Sequence, residues 1–251
     1  MDRGTAIDVR GITKAFGKII AVNEVDLRIL EGELFAFLGP NGAGKTTLIR
    51  LLTCLLKPSS GTATVGGYDI RLEPLQIRRM VGVVTQEPCL YIDLTGAENM
   101  RFFGRLYGVG REQLVKRSEE LLELVQLKGR EKDLVGTYSG GMRQRLSIAC
   151  ALVHDPRIVF FDEPTAGLDP QTKRVIWGFM KDLQKRGITV VLSTHYLEEA
   201  DDLSDRVAIM DRGKIVALDS PKRLKASLSS KLEEPTLEDV FLSLTGRAMR
   251  D

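Results

Sequence analysis

Gly39-Pro40-Asn41-Gly42-Ala43-Gly44-Lys45-Thr46 fits the pattern G-x-x-x-x-G-K-[ST], and its setting decides the fold: an apolar strand, residues 33–38, precedes it and a helical run, residues 47–56, follows. Glycines let backbone N–H groups turn inward around phosphate oxygens, and a helix N-terminus adds the positive end of its dipole. Lys45 brings charge to the β and γ phosphates, and Thr46 offers a hydroxyl to Mg²⁺. A Gly-rich turn that binds nothing is the alternative. The strand before it and the helix after it argue against that alternative.

Downstream, the apolar run 158–161 ends in Asp162 and Glu163. Two carboxylates at the end of a buried strand are costly unless charge or metal compensates them. Asp162 is the natural Mg²⁺ partner across from Thr46, and Glu163 the general base for a water at the γ phosphate. The alternative for Asp162, taken alone, is a cap of the following turn. Gln86, after the strand 81–84, and His195, after the strand 190–193, stand where strand ends deliver residues to a nucleotide, because an open α/β sheet binds ligands at those carboxyl ends. Singly, each is also an ordinary loop residue.

The rest of the chain organises around these two motifs. Short strands are expected at 6–9 and 25–30, with a Glu31-Gly32 turn before the strand 33–38, and Gly61 and Gly66-Gly67 punctuate a further β-rich portion. From Thr95 the texture turns helical: Thr95 and Glu98 suit a capping box, and Leu114, Leu121, Leu122 and Val125 recur on one helix face. A helical lobe is expected over about 87–153. Asp169-Pro170 then starts a helix that Lys185-Arg186-Gly187 closes, followed by strands at 188–193, 206–210 and 214–218. Strands alternating with helices imply a mainly parallel sheet covered on both faces.

Composition sets outer bounds. Over 251 residues, a hydrophobic share of 43% and a charged share of 28% describe a globular chain and exclude disorder. Thirty-six Lys and Arg against 34 Asp and Glu leave a charge of +2, too balanced for a general polyanion binder. Arg143 and Arg145 are accordingly expected on a solvated helix face, with no direct nucleic-acid role. No apolar run approaches the roughly 20 residues of a membrane-spanning helix. The opening residues lack the apolar stretch of a signal peptide, so a cytoplasmic location is expected. Cys54, Cys89 and Cys150 form no C-x-x-C pattern and are expected as reduced thiols.

Tyr138-Ser139-Gly140-Gly141-Met142-Arg143-Gln144-Arg145 discriminates among the many proteins that carry a phosphate loop. It resembles the signature of ABC transporter ATPases. With Walker A at 39–46, Walker B at 158–163, Gln86 in the Q-loop, Ala166-Gly167-Leu168-Asp169 as the D-loop and His195 as the switch histidine, the resemblance covers roughly residues 5–220 in the family's order. It implies an α/β fold: a P-loop NTPase core, a mainly parallel sheet flanked by helices, with an N-terminal antiparallel β portion and an inserted α-helical lobe. An ATPase domain over 1–220 and a helical appendage over 221–251 follow.

The resemblance also assigns residues. Lys45, Gln86, Glu163 and His195 are the expected catalytic set, and Thr46, Gln86 and Asp162 the expected Mg²⁺ ligands. Asn41, Gly42, Ala43, Gly44, Lys45, Thr46 and Thr47 surround the ATP phosphates. Phe16 is expected against adenine with Val22 beside it, and core packing is the alternative for both. Ser139 and Gly141 are expected to complete the ATP site of a second subunit, most simply in a homodimer, with a heterodimer as the alternative. Tyr138 departs from the Leu usual at its position, which bears on packing of the lobe.

A separate transmembrane permease is the expected partner, holding the protein at the inner face of the cell membrane. The Thr-capped amphipathic segment 235–246 resembles the tail of ATPases that drive drug, antibiotic or lipid-linked exporters, although packing onto its own core explains it equally well. The alternative function is a soluble, non-transport ABC ATPase. Such relatives generally carry two cassettes or a long coiled-coil insertion.

Overall fold

The computed structural model describes residues 4–228 and 233–246, so parts of the expected 221–251 appendage lie outside the described residues. A long hairpin opens the chain: β1 (Thr5–Phe16) and β2 (Ile19–Leu30) pair antiparallel, from Thr5 opposite Leu30 to Phe16 opposite Ile19. Sequence periodicity finds only 6–9 and 25–30 of it. Gly11, at φ 54°, and register shifts on both sides of Ile12 interrupt the alternation that marks a strand.

Next come β3 (Leu34–Leu38), α1 (Lys45–Leu52), β4 (Ser60–Val65) and β5 (Tyr68–Asp69). β4 and β5 extend the hairpin into a four-stranded sheet of order β2-β1-β4-β5. α1 is shorter than the expected 47–56 and starts two residues earlier. Its end is set by Thr53, whose hydroxyl donates to the Ile49 carbonyl at 2.9 Å, and by Cys54, which turns to φ 59°.

The middle of the chain holds α2 (Pro74–Met80), β6 (Val81–Val84), α3 (Gly96–Leu106), α4 (Arg111–Leu124) and α5 (Gly140–Leu152). Thr95 and Glu98 form the expected capping box on α3. Leu114, Leu121, Leu122 and Val125 are buried together beneath α4. Arg143 and Arg145 correct the expectation of a solvated face. The Arg143 guanidinium donates to the carbonyls of Val135 and Gly136, and Arg145 to those of Val125 and Gln126. Both therefore satisfy the loose chain ends between α4 and α5, which otherwise have no helix to bond to.

The last part comprises β7 (Ile158–Asp162), α6 (Pro170–Lys185), β8 (Thr189–Thr194), α7 (Leu197–Leu203), β9 (Arg206–Asp211), β10 (Lys214–Asp219), α8 (Pro221–Ala226) and α9 (Leu237–Thr245). Six strands form the central sheet in the order β10-β9-β3-β8-β7-β6, parallel throughout except for β10. Because side chains alternate along a strand, β3 feeds two cores. Phe35 and Phe37 pack toward the hairpin sheet and α1, whereas Leu34, Ala36 and Leu38 join the core with α5, α6 and α7. Leu237, Val240 and Phe241 of α9 are buried in that second core. The tail helix thus packs on the chain's own body.

Candidate nucleotide site

A cleft of about 500 Å³ opens where β3, β7 and β8 end, lined by Phe16, Ala21, residues 41–47, Gln86, Glu163 and His195. Another cleft of about 520 Å³ opens at the opposite ends of β7 and β8, beside Ile158 and Thr189. Size does not separate the two. Only the first gathers a glycine loop, a buried cation and the carboxylate of Glu163.

The loop is a cradle that side chains would fill. Gly44 has φ 103°, and a Cβ there would stand 2.3 Å from the Ala21 carbonyl oxygen; on Gly39 it would stand 2.3 Å from that of Met210. Gly44 is also the N-cap of α1, whose first turn carries neither a side-chain cap nor an acid, so its N–H groups face the cleft without a competing anion. Lys45 is 4% exposed. Its ammonium donates to the carbonyls of Gly39 at 2.7 Å and Pro40 at 3.1 Å, and pairs with Glu163 at 3.1 Å, which is the compensation a buried charge requires.

The acidic pair divides in two. Asp162 is buried and accepts from the Thr46 hydroxyl at 3.0 Å and the Ser193 hydroxyl at 2.5 Å, so two of the three expected metal ligands already face each other. Their hard oxygens suit Mg²⁺. Glu163 points the other way. One oxygen meets Lys45, and the second meets His195 Nδ1 at 3.1 Å. Its backbone adopts φ 48°, an unfavoured conformation for a residue with a side chain, held by an N–H bond to the Ser193 carbonyl at 3.0 Å.

Phe16 reaches the cleft and is 47% exposed, with the Lys14 ammonium 5.0 Å from its ring centre. Val22 does not reach it. That residue is fully buried in the core beneath the hairpin, and its neighbour Ala21 lines the cleft instead. The bulges in β1 and β2 decide which of the two faces outward, and no alternation in the sequence reveals it. Gln86 lines the cleft at the exposed end of β6.

Ser139 and Gly141 stand apart from the cleft. Ser139 caps α5, accepting from the Met142 N–H at 3.2 Å, and is exposed. A Cβ on Gly141 would come within 2.9 Å of the Thr172 methyl, so α5 lies directly against the start of α6. There Asp169 caps the helix, and the Thr172 hydroxyl and N–H bound to it hold its carboxyl below the usual range. Sequence reasoning missed two supports of the site. Ser193 fastens Asp162, and buried Gln144 on α5 donates to the Thr85 carbonyl beside Gln86 at 3.3 Å. Ser193, polar at the end of an apolar strand, was the one available signal.

The ABC transporter family profile matches residues 22–166. The doxorubicin resistance ATP-binding protein DrrA of Mycobacterium tuberculosis is 45% identical over 98% of this chain and 72% of its own length. The linearmycin resistance ATP-binding protein LnrL of Bacillus subtilis is 40% identical over 94% of this chain and 75% of its own. Among solved structures, the dimeric post-hydrolysis state of an ATP-binding cassette bound to ADP and Pi superposes with a TM-score of 0.78 at 31% identity, covering 85% of this chain and 98% of that one. With a phosphate cradle, an acidic pair and a signature segment in one architecture, this chain belongs to the ABC transporter family as one of its ATP-hydrolysing cassettes.

Proposed function

We propose that the chain binds ATP with Mg²⁺ in this cleft, closes on a second copy of itself and powers a separate membrane permease that exports a drug, antibiotic or lipid-like compound. The observation that carries the proposal is Glu163, held between Lys45 and His195 at 3.1 Å from each. Adenine stacks on Phe16, residues 41–47 hold the phosphates, and Lys45 turns from Glu163 toward the β and γ oxygens. Glu163 then takes the proton of a water that attacks the γ phosphorus. The bond to the β phosphate breaks, and ADP leaves with phosphate. His195 orients Glu163 and the γ oxygens, and Gln86 orients the water. Thr46, Asp162 and Gln86 would hold Mg²⁺, which neutralises phosphate charge when bound.

A dimer is supported by the placement of Ser139 and Gly141 away from their own cleft, on an exposed helix start suited to a partner's γ phosphate. Permease contact is assigned to residues 87–99 of the lobe 87–153, where Tyr91 and Ile92 are half exposed. No described helix is long and apolar enough to cross a membrane, so attachment to its inner face comes through that partner. Drug or antibiotic export is supported by the resistance named in the relatives DrrA and LnrL. The unit boundaries at 1–220 and 221–251 belong to the same proposal.

Glu163→Gln tests it. The variant is expected to bind ATP, accumulate as a closed dimer and lose turnover by about 100-fold or more, the scale of general-base catalysis. Unchanged turnover removes Glu163 as the base. Recovery of the tagged protein from membranes without any integral membrane partner removes the permease.

A further inference from the structure

Behind the cleft, and not lining it, lies a carboxylate that hydrolysis does not use. Glu199 on α7 is 1% exposed. It accepts from the Thr194 hydroxyl at 2.6 Å, from the Trp177 indole N–H at 3.1 Å, and from the Thr165 hydroxyl in a short contact. All three donors are neutral. Burying a carboxylate without a compensating cation is costly, and the hydrogen bonds from these donors offset that cost.

The donors come from the segments that matter most to the site. Thr165 follows Glu163 by two residues, and Thr194 immediately precedes His195. The Thr194 hydroxyl also accepts from the Tyr196 N–H at 2.9 Å, so the chain is held on both sides of His195. Glu163 itself sits at φ 48°, and an unfavoured backbone of this kind persists only where its surroundings over-determine it. Glu199 binds the two segments together from behind while their tips meet at 3.1 Å in front.

We infer that Glu199 is a positioning residue that sets the separation of Glu163 and His195 and, through Thr165, anchors the turn leading to Asp169. The inference rests on the roles proposed for Glu163 and His195. Trp177 contributes to burial of the cluster but belongs to neither segment. It therefore separates positioning from simple stability.

Steady-state ATPase measurements on the whole chain test this. Glu199→Gln, Thr165→Val and Thr194→Val are each expected to lower kcat about 10-fold while KM for ATP stays within about 2-fold, a geometric misplacement of the base rather than lost binding. Trp177→Phe is expected to keep kcat within about 3-fold although it removes a donor from the same carboxylate. In a Glu163→Gln background, adding Glu199→Gln is expected to cost nothing further. Should Glu199→Gln not fold, the two Thr→Val variants carry the test alone. The inference is overturned if kcat is unchanged in both Thr variants, if Trp177→Phe is as damaging as they are, or if the losses add in the Glu163→Gln background. Full turnover by Glu163→Gln alone would instead overturn the base assignment, so the two failures are told apart.

Discussion

The hydroxyl of Tyr138 donates to the carbonyl of Arg130 at 2.6 Å, and it stands 2.6 Å from where a Cβ on residue 96 would be. The residue that departs from the family's usual Leu is therefore a buried tie between the signature and the segment at Arg130, packed against the start of α3. Burial raises the phenol above its ordinary pKa. Tyr138→Phe leaves the Arg130 carbonyl unpaired and is expected to cost about 1–2 kcal/mol of stability in denaturant unfolding. ATP binding should be unaffected. Gly96→Ala, which drives a methyl into the hydroxyl, is expected to cost at least as much.

Lys45→Ala is expected to weaken ATP binding about 10- to 100-fold, because it removes a charged donor from the phosphates. Gly44→Ala should be as damaging to binding and also destabilise the fold, since the new methyl meets the Ala21 carbonyl and the residue must keep φ 103°. Equilibrium binding of a fluorescent ATP analogue checks both. Undiminished affinity in either variant would show that the cradle is not where ATP sits.

If Ser139 acts on the partner's nucleotide, an equal mixture of Ser139→Arg and Lys45→Ala chains regains activity that neither has alone. In the mixed dimers both lesions fall in one site and the other is intact. With random pairing of two equivalent sites the recovery is about a quarter of the unmodified rate. Inactivity of every mixture would count against two shared sites.

His154 gives the fold a dependence on acid. Its ring stacks on Tyr107 at 3.7 Å, Nε2 donates to the Val81 carbonyl at 3.0 Å, and Nδ1 is buried with no partner. Burial pushes its pKa below the ordinary histidine value, more than the Val81 bond and Asp155 raise it. The unfolded chain thus binds the proton more readily than the folded one. Stability is full above the unfolded pKa of about 6.5 and falls as pH drops toward the folded pKa, by at most about 1.4 kcal/mol per pH unit. His154→Phe is expected to lose less midpoint temperature between pH 7.5 and 5.5 than the unmodified chain, measured by thermal unfolding. An equal loss would exclude His154 as a source of acid sensitivity.

What could be read in advance follows a physical division. Phosphate binding needs backbone geometry and charge within eight consecutive residues, so residues 39–46 announce themselves, and Asp162-Glu163 does so at the end of an apolar run. Val22 illustrates the opposite case. Whether it or Ala21 faces the cleft depends on bulges that no local pattern marks. Arg143 and Arg145 read as solvated charge until carbonyls from a separate loop come into place around them. Glu199 lies in the acidic run Glu198-Glu199-Ala200-Asp201-Asp202, whose composition is that of a surface. Contacts with Thr165 and Trp177, both distant in sequence, and with Thr194 make it interior.

The contact between Gly141 and Thr172 has a mechanical consequence. A methyl at position 141 would collide with the Thr172 side chain, so at this one point there is no room for a side chain between the signature helix and the helix that Asp169 caps. In the proposed mechanism, a shift of α5 toward α6 would meet the Thr172 side chain at once, beside the turn that Asp169 caps.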